Sequence, residues 1–296
     1  MRILLICTSV LLAALLFVAG CGGNGDTGST GMVKLLLADA PLHLNDGSVV
    51  SEVNVTITKV EVMGANESEV PRATLFEGSE TVNLLTLANK PLSELLQLAL
   101  TSVPAGAYEQ LRFIVDEAAS NVVVNGVTRP LMVASGPQTG LKIPLNLTVA
   151  PGTTQVVVLD FDLTKLHENA QFLLTPNAVR AVSMSEAGTV TGTAVLAEGV
   201  EINEDLPVTV TLYPAGSSEA LATTQVVLTA ATPSATFVIN GVPVGSYIVR
   251  ATAPEGTGTF TVETAEFTVS AGQTVDLDAL AIGTPPAPEP DPEPEP

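Results

Sequence analysis

The stretch Leu141-Lys142-Ile143-Pro144-Leu145-Asn146-Leu147-Thr148-Val149 decides the fold class. Its apolar residues alternate with polar ones or proline, the two-residue period of a strand with one buried face. Pro144 has no N–H to give a ladder, so the strand belongs at a sheet edge or beside a bulge. The same pattern extends in both directions. Val53, Val55 and Ile57 share one parity while Val60 and Val62 share the other, which a bulge near Thr58-Lys59 reconciles. Asn125-Gly126, between Val122-Val123-Val124 and Val127, predicts a hairpin, because both residues accept the positive φ of a type I′ turn. Ala150-Pro151-Gly152-Thr153 reads as another turn. Only residues 91–100 predict a helix: Pro91 suits a first turn, and Leu92, Leu95 and Leu96 fall on one face.

Composition agrees with an all-β protein. Tryptophan is absent, 4% of residues are aromatic, and β-branched residues with frequent Gly and Pro imply short strands and turns. The formal net charge of −20 repels phosphate backbones and argues against nucleic-acid binding. It also disfavours direct electrostatic attachment to anionic headgroups.

The N-terminus supplies another route to a membrane. Arg2, an uncharged run over residues 3–18 and Val18-Ala19-Gly20-Cys21 form a secretory signal, too short to span a bilayer, which takes roughly 20 residues. These residues resemble the lipobox of bacterial lipoprotein precursors, in which cleavage precedes the cysteine and lipid is attached to it. The resemblance implies that residues 1–20 are a signal peptide and that Cys21 is the lipid attachment site. Gly22 stands where an aspartate commonly marks inner-membrane retention, so the implied location is the outer membrane of a Gram-negative cell envelope. Cys7 leaves with the signal and Cys21 is consumed, so no internal disulfide can form in the mature chain. Residues 21–31, rich in glycine, read as a flexible tether.

The remaining chain divides into two β-sandwich domains, immunoglobulin-like or prealbumin-like, with the short helix in the first. Residues 32–184 form one. Residues 188–283 form the other, with strands at 190–196, 208–212, 224–228, 235–239, 247–251, 260–262, 267–269 and 275–281. Residues 284–296 alternate proline with acid, as in Pro288-Glu289-Pro290-Asp291-Pro292, and read as a disordered, polyproline-like tail. Val103-Pro104-Ala105-Gly106-Ala107-Tyr108 recurs as Val242-Pro243-Val244-Gly245-Ser246-Tyr247, each a turn feeding a strand whose tyrosine hydroxyl is expected to bond nearby backbone.

The first unit resembles the bacterial family called domain of unknown function 4382. The matching pieces are Leu37-Ala38-Asp39-Ala40-Pro41, Val53 through Val62, Val82-Asn83-Leu84-Leu85, Pro104 through Arg112, Ser135-Gly136-Pro137-Gln138-Thr139-Gly140-Leu141-Lys142-Ile143, Leu159-Asp160-Phe161-Asp162 and Pro176-Asn177-Ala178-Val179-Arg180. The family implies a β-rich fold and no established activity. The second unit resembles carboxypeptidase regulatory-like, or transthyretin-like, sandwiches through Gly188-Thr189-Val190-Thr191-Gly192 and Val269-Ser270-Ala271-Gly272-Gln273. Such modules are often structural spacers.

Catalytic constellations are wanting. His43 and His167 are the only histidines, and Gln171 stands where His167-Glu168-Asn169-Ala170 would need a second histidine for zinc hydrolysis. Asp160 and Asp162 share a strand face, as do Asp276 and Asp278, and paired carboxylates can run glycoside hydrolysis, though strand-end acids usually serve otherwise. Glu198, Glu201, Glu204 and Asp205 crowd one loop and would suit calcium, but the pattern of a calcium loop is absent. The expectation is therefore a non-enzymatic, lipid-anchored envelope protein without cofactor or metal, with a binding, adhesion or structural role and an envelope protein or polysaccharide as partner. The alternative is a solute- or carbohydrate-binding lipoprotein, and less favoured again a hydrolase.

Overall fold

The apolar runs Leu35-Leu36-Leu37-Ala38 and Val156-Val157-Val158-Leu159 have no alternation, as expected of strands buried on both faces. In the computed structural model, which describes residues 29–40, 49–65, 72–134, 139–169, 171–202, 204–255 and 258–283, these runs lie side by side as a parallel pair. The signal peptide, Cys21, His43 and the acidic tail lie outside the described residues.

The chain forms two β-sandwiches. The first contains β1 (Thr30–Ala40), β2 (Val50–Met63), β3 (Ala73–Asn83), β4 (Leu96–Pro104), β5 (Gly106–Val115), β6 (Asn121–Val124), β7 (Val127–Val133), β8 (Leu141–Val149), β9 (Thr154–Asp162), β10 (His167–Asn169), β11 (Gln171–Leu174) and β12 (Val179–Ser183). The second contains β13 (Ala187–Leu196), β14 (Leu206–Pro214), β15 (Ala222–Leu228), β16 (Ser234–Pro243), β17 (Gly245–Glu255), β18 (Gly258–Glu263), β19 (Phe267–Val269), β20 (Thr274–Asp276) and β21 (Leu280–Ile282). In the first, a four-stranded sheet β12-β9-β1-β4 faces an eight-stranded sheet β10-β11-β7-β6-β2-β5-β8, in which β3 also pairs with β2. In the second, β16-β13-β20, with β21 also on β13, faces β15-β14-β17-β18, with β19 on β17.

Local expectations are met at several points. The β2 register slips between Ile57 and Lys59 against both neighbours, and this bulge lets Val53, Val55, Ile57, Val60 and Val62 all be buried. Asn125 and Gly126 have φ of 50° and 75° and close the β6–β7 hairpin. Strand β8 lies at the sheet edge, and Pro144 sits beside a register shift opposite Gln110. Phe113 of β5 meets Phe161 of β9 edge to face across the sandwich, their ring centroids 5.7 Å apart.

Three expectations are corrected. Residues 91–100 do not form a helix: Leu92–Glu94 make one 3-10 turn, and β4 begins at Leu96. Strand pairing overrides the helical spacing, because β4 is the antiparallel neighbour of β1, with Leu96 and Leu98 against the first core and Leu95 turned to the opposite side. The expected strand over residues 275–281 is two strands, since β13 accommodates β20 and β21 only with an interruption at Leu277, whose N–H bonds Thr191 O. Strand β1 begins at Thr30, two residues inside the segment read as tether. Gly31 is not linker glycine: a Cβ there would lie 2.6 Å from Ala150 O.

That close approach belongs to a clasp built twice. In the first sandwich Gly152 N donates to Thr30 O, Met32 N to Thr153 O, and Ala105 N to Ser29 O. In the second, Gly272 N donates to Ala187 O, Thr189 N to Gln273 O, and Val244 N to Glu186 O. Gly106 opposes Val149 as Gly245 opposes Val269. The Tyr108 hydroxyl donates to Pro104 O and the Tyr247 hydroxyl to Pro243 O, both at 2.8 Å. Burial pushes both phenols above their usual pKa, which keeps the donors protonated. Each clasp ties the start of a strand to a turn and to a tyrosine corner, fixing which strands pair in parallel.

At Gly188 a Cβ would fall 2.6 Å from Gln273 O and 2.7 Å from Ser270 O, backbone atoms that cannot yield without moving the turn. Gly188→Ala should therefore cost about 1–3 kcal/mol in urea unfolding. Tyr247→Phe should cost about 1 kcal/mol by removing one hydrogen bond. Unchanged midpoints in both variants would contradict the clasp.

Candidate functional site

Sequence-named acids fall into two kinds of place. Glu198, Glu201, Glu204 and Asp205 are all exposed, as are Asp276 and Asp278. Among the described residues no group of three or more His, Cys, Asp or Glu is placed to hold a metal ion. His167 lies on β10 at the edge of the eight-stranded sheet. Asp160 and Asp162, by contrast, line a cleft between the two sandwiches together with Asp39, Lys165 and Arg180.

The cleft exists because the second sandwich covers the outer face of sheet β12-β9-β1-β4. Leu36, Ala38, Leu95 and Val158 of that face pack with Met184 and Ala187, while Leu35, Leu37 and Leu159 point into the first core. Polar bonds border this apolar seam. Asn89, held at φ 55°, takes Thr224 Oγ1 (2.9 Å) and Val238 N (3.2 Å) on its carbonyl oxygen and donates its amide to Gln225 O (2.8 Å). Asn240, buried, donates to Lys90 O at 2.9 Å, and its backbone carbonyl accepts Arg180 Nη2 at 3.3 Å. Arg180 Nη2 also donates to Asp160 Oδ2 at 2.7 Å, and Lys165 Nζ stands 3.1 Å from Asp162 Oδ2.

Each of those two carboxylates is thus engaged by a cation. Space for water centres in the cleft is about 40 Å³, room for about three waters. A second hollow beside the seam, about 170 Å³, is walled by Pro91, Leu92 and Met184 from one side and Thr191, Val238 and Gln273 from the other. Among the described residues no aromatic side chain lines either.

A third feature lies on the outward face of the eight-stranded sheet. Glu61 is only 4% exposed although it stands on that face. Its carboxylate is capped by Lys59 Nζ (3.2 Å), Arg112 Nη1 (3.1 Å) and Arg72 Nη1 (3.7 Å). Glu61, Arg112 and Lys142 stand in one row across β2, β5 and β8. Arg112 Nε also donates to Thr139 O, tying the row to the segment before β8. Sequence reading named no role for Asn89, Asn240 or this row. The turn residues Asn89-Lys90-Pro91 offered a signal for Asn89, since asparagine tolerates left-handed backbone, but no signal for its partners.

Residues 30–176 match the family model described as domain of unknown function (DUF4382). Asp39, Asp160, Asp162 and Lys165 on the cleft and Lys59, Glu61, Arg112 and Lys142 on the charged row lie within the matched range, and Asn177 and Arg180 lie just beyond it. No curated protein sequence matches the chain. Solved structures similar to it include a leucine-rich repeat protein from Bacteroides thetaiotaomicron (16% identity, 86% of this chain and 26% of that one, TM-score 0.23). The Bacillus anthracis TIE protein is 15% identical over 84% of this chain and 33% of that one, with a TM-score of 0.22. A minor pilin from Streptococcus agalactiae is 10% identical over 88% of this chain and all of that one, with a TM-score of 0.23. The chain thus spans 26% and 33% of the first two proteins. TM-scores of this size carry no argument about function.

Asn89→Gly keeps the left-handed backbone and removes three bonds between the sandwiches, so it should cost about 3 kcal/mol in urea unfolding. Asn89→Ala should cost about 1 kcal/mol more through backbone strain. A cost below about 0.5 kcal/mol for both would show that the seam does not depend on this side chain. Asp160 gives a pH test. Burial raises its carboxyl pKa above the ordinary 3.8, with Arg180 opposing by charge and hydrogen bond, Asp162 adding and Lys165 lowering. The folded state therefore holds this proton more tightly than the unfolded chain. Its stabilising contribution is full below the unfolded pKa and is lost as pH rises through the folded one. Unfolding free energies measured through that window should show the parent protein losing stability relative to Asp160→Asn as pH rises; parallel curves would contradict this.

Proposed function

We propose that the chain is a lipid-anchored cell-envelope protein with a noncatalytic adhesion or structural role, built as one stiff body from two β-sandwiches. The observation that carries this reading is the contact of β1, β9 and β12 with strands β15 and β16 of the second sandwich, beside the apolar seam of Leu36, Ala38, Leu95, Val158, Met184 and Ala187. Side-chain hydrogen bonds from Asn89, Asn240 and Arg180 cross the same contact, and each requires the two units to keep one relative position. Domains joined in this way hold a fixed geometry, the property a spacer or presenting module requires.

Lipid at Cys21 is the attachment this reading uses, with the outer membrane as the location favoured by Gly22. No helix among the described residues is long and apolar enough to cross a membrane. The carbohydrate-binding alternative is disfavoured because neither the cleft nor the hollow beside the seam has an aromatic platform among its described walls.

Cys21→Ala should abolish acyl labelling and move the protein from the membrane fraction to the soluble fraction, with its circular dichroism and melting behaviour unchanged. Membrane fractionation identical to that of the parent protein would refute lipid anchoring through this residue.

A further inference from the structure

Lys59, Arg72, Arg112 and Lys142 are four of the chain's 11 basic residues, and they gather at one outward face of a protein with net charge −20. This concentration is the opposite of what the composition alone would place there. Glu61 lies beneath the cations, and Glu77 stands 3.6 Å from Lys59 Nζ. Lys142 is exposed, stands in register beside Arg112, and has no acidic partner within ion-pair distance among the described residues. The face belongs to the eight-stranded sheet, so it is turned away from the sheet that the second sandwich covers.

The rest of the chain contains a segment of complementary chemistry. Residues 288–296 place Glu289, Asp291, Glu293 and Glu295 between prolines, with no basic residue. Such a sequence favours an extended backbone at about 3 Å per residue, which separates successive acids by about 6 Å. Cations on neighbouring strands lie about 5 Å apart, and those two residues apart along a strand about 6.6 Å apart. Proline also reduces the entropy lost when an extended segment docks, since much of its backbone is already restricted. The second sandwich that bears this segment adds no competing cation: its one basic residue, Arg250, is paired with Glu263 at 2.8 Å and lies over the Tyr213 ring.

We propose that the Lys59–Arg112–Lys142 face is the docking site for the acidic C-terminal segment of a second copy of the chain. The association is head to tail, because the patch is on the first sandwich and the segment follows the second. A heterologous contact of this kind builds open strings unless its rotation closes a ring. The inference deepens the structural reading above and rests on it, by naming the partner as another copy of the protein.

The test uses the full chain carrying Cys21→Ala, so that lipid plays no part, and a fluorescent synthetic peptide of residues 284–296. The peptide should bind saturably at low ionic strength, lose binding as salt shortens the screening length to a few ångströms, and lose it when its four acids become amides. Lys142→Glu lies outside the Glu61 ion pairs, leaves the fold intact by melting, and should weaken binding about tenfold or more, from reversal of a charge that contacts the segment. In sedimentation, removal of residues 284–296 should abolish concentration-dependent association. Absence of peptide binding at low salt, equal binding by Lys142→Glu, or a chain that stays monomeric at every concentration would overturn the proposal. None of these results bears on the Cys21 fractionation, so failure here is distinguishable from failure of lipid anchoring.

Discussion

Everything in this protein is arranged around the parallel pair β1–β9, whose central residues, Leu35 to Ala38 and Val157 to Leu159, are buried on both faces. Leu35 and Leu37 enter the first core with Val157, Leu159 and Phe161, while Leu36, Ala38 and Val158 meet Met184 and Ala187 at the seam. A strand pair that apolar on both sides cannot be finished by one sandwich. The second sandwich supplies the missing cover, and the connection from β12 to β13 is correspondingly short, Ser183 to Ala187. The polar bonds of Asn89, Asn240 and Arg180 then fix the orientation of the contact.

The parallel pairing in turn depends on the clasp. Gly31 and Gly188 allow a turn to approach the start of a strand more closely than any side chain would permit. The same hydrogen bonds recur in both sandwiches, with the same tyrosine corner opposite. Two units with different strand numbers therefore share one local solution for beginning a sheet. The result is a continuous set of backbone bonds and packed side chains from strand start to sandwich seam, which the proposed structural role would use.

Much of this was legible in sequence where the signal is local. The alternation over Leu141 to Val149, the Thr58-Lys59 bulge, the Asn125-Gly126 turn and the paired Pro-x-Gly-x-Tyr segments each depend on residues near one another in the chain. The other half of the clasp was written there too, as Val149-Ala150-Pro151-Gly152-Thr153-Thr154 and Val269-Ser270-Ala271-Gly272-Gln273-Thr274, though the first reads alone as a simple turn. The helix expected over residues 91–100 failed because leucines spaced for one helical face also serve a turn followed by a strand, and β1 needed that strand. The cleft and the charged row were illegible for a related reason. Asn89 meets Thr224 and Glu61 meets Arg112 only after sheets have formed, and asparagines or charged residues carry no periodic mark of their distant partners.

The central claim is that the two sandwiches form one body through a sheet buried on both faces. Scanning calorimetry of the mature chain tests it most directly, by comparing the measured unfolding enthalpy with the van't Hoff enthalpy of the same transition. The account predicts one transition with the two enthalpies equal, because exposing the outer face of β1–β9 removes support from both units at once. Two resolved transitions, or a calorimetric enthalpy about twice the van't Hoff value, would show that the sandwiches unfold independently and would contradict it.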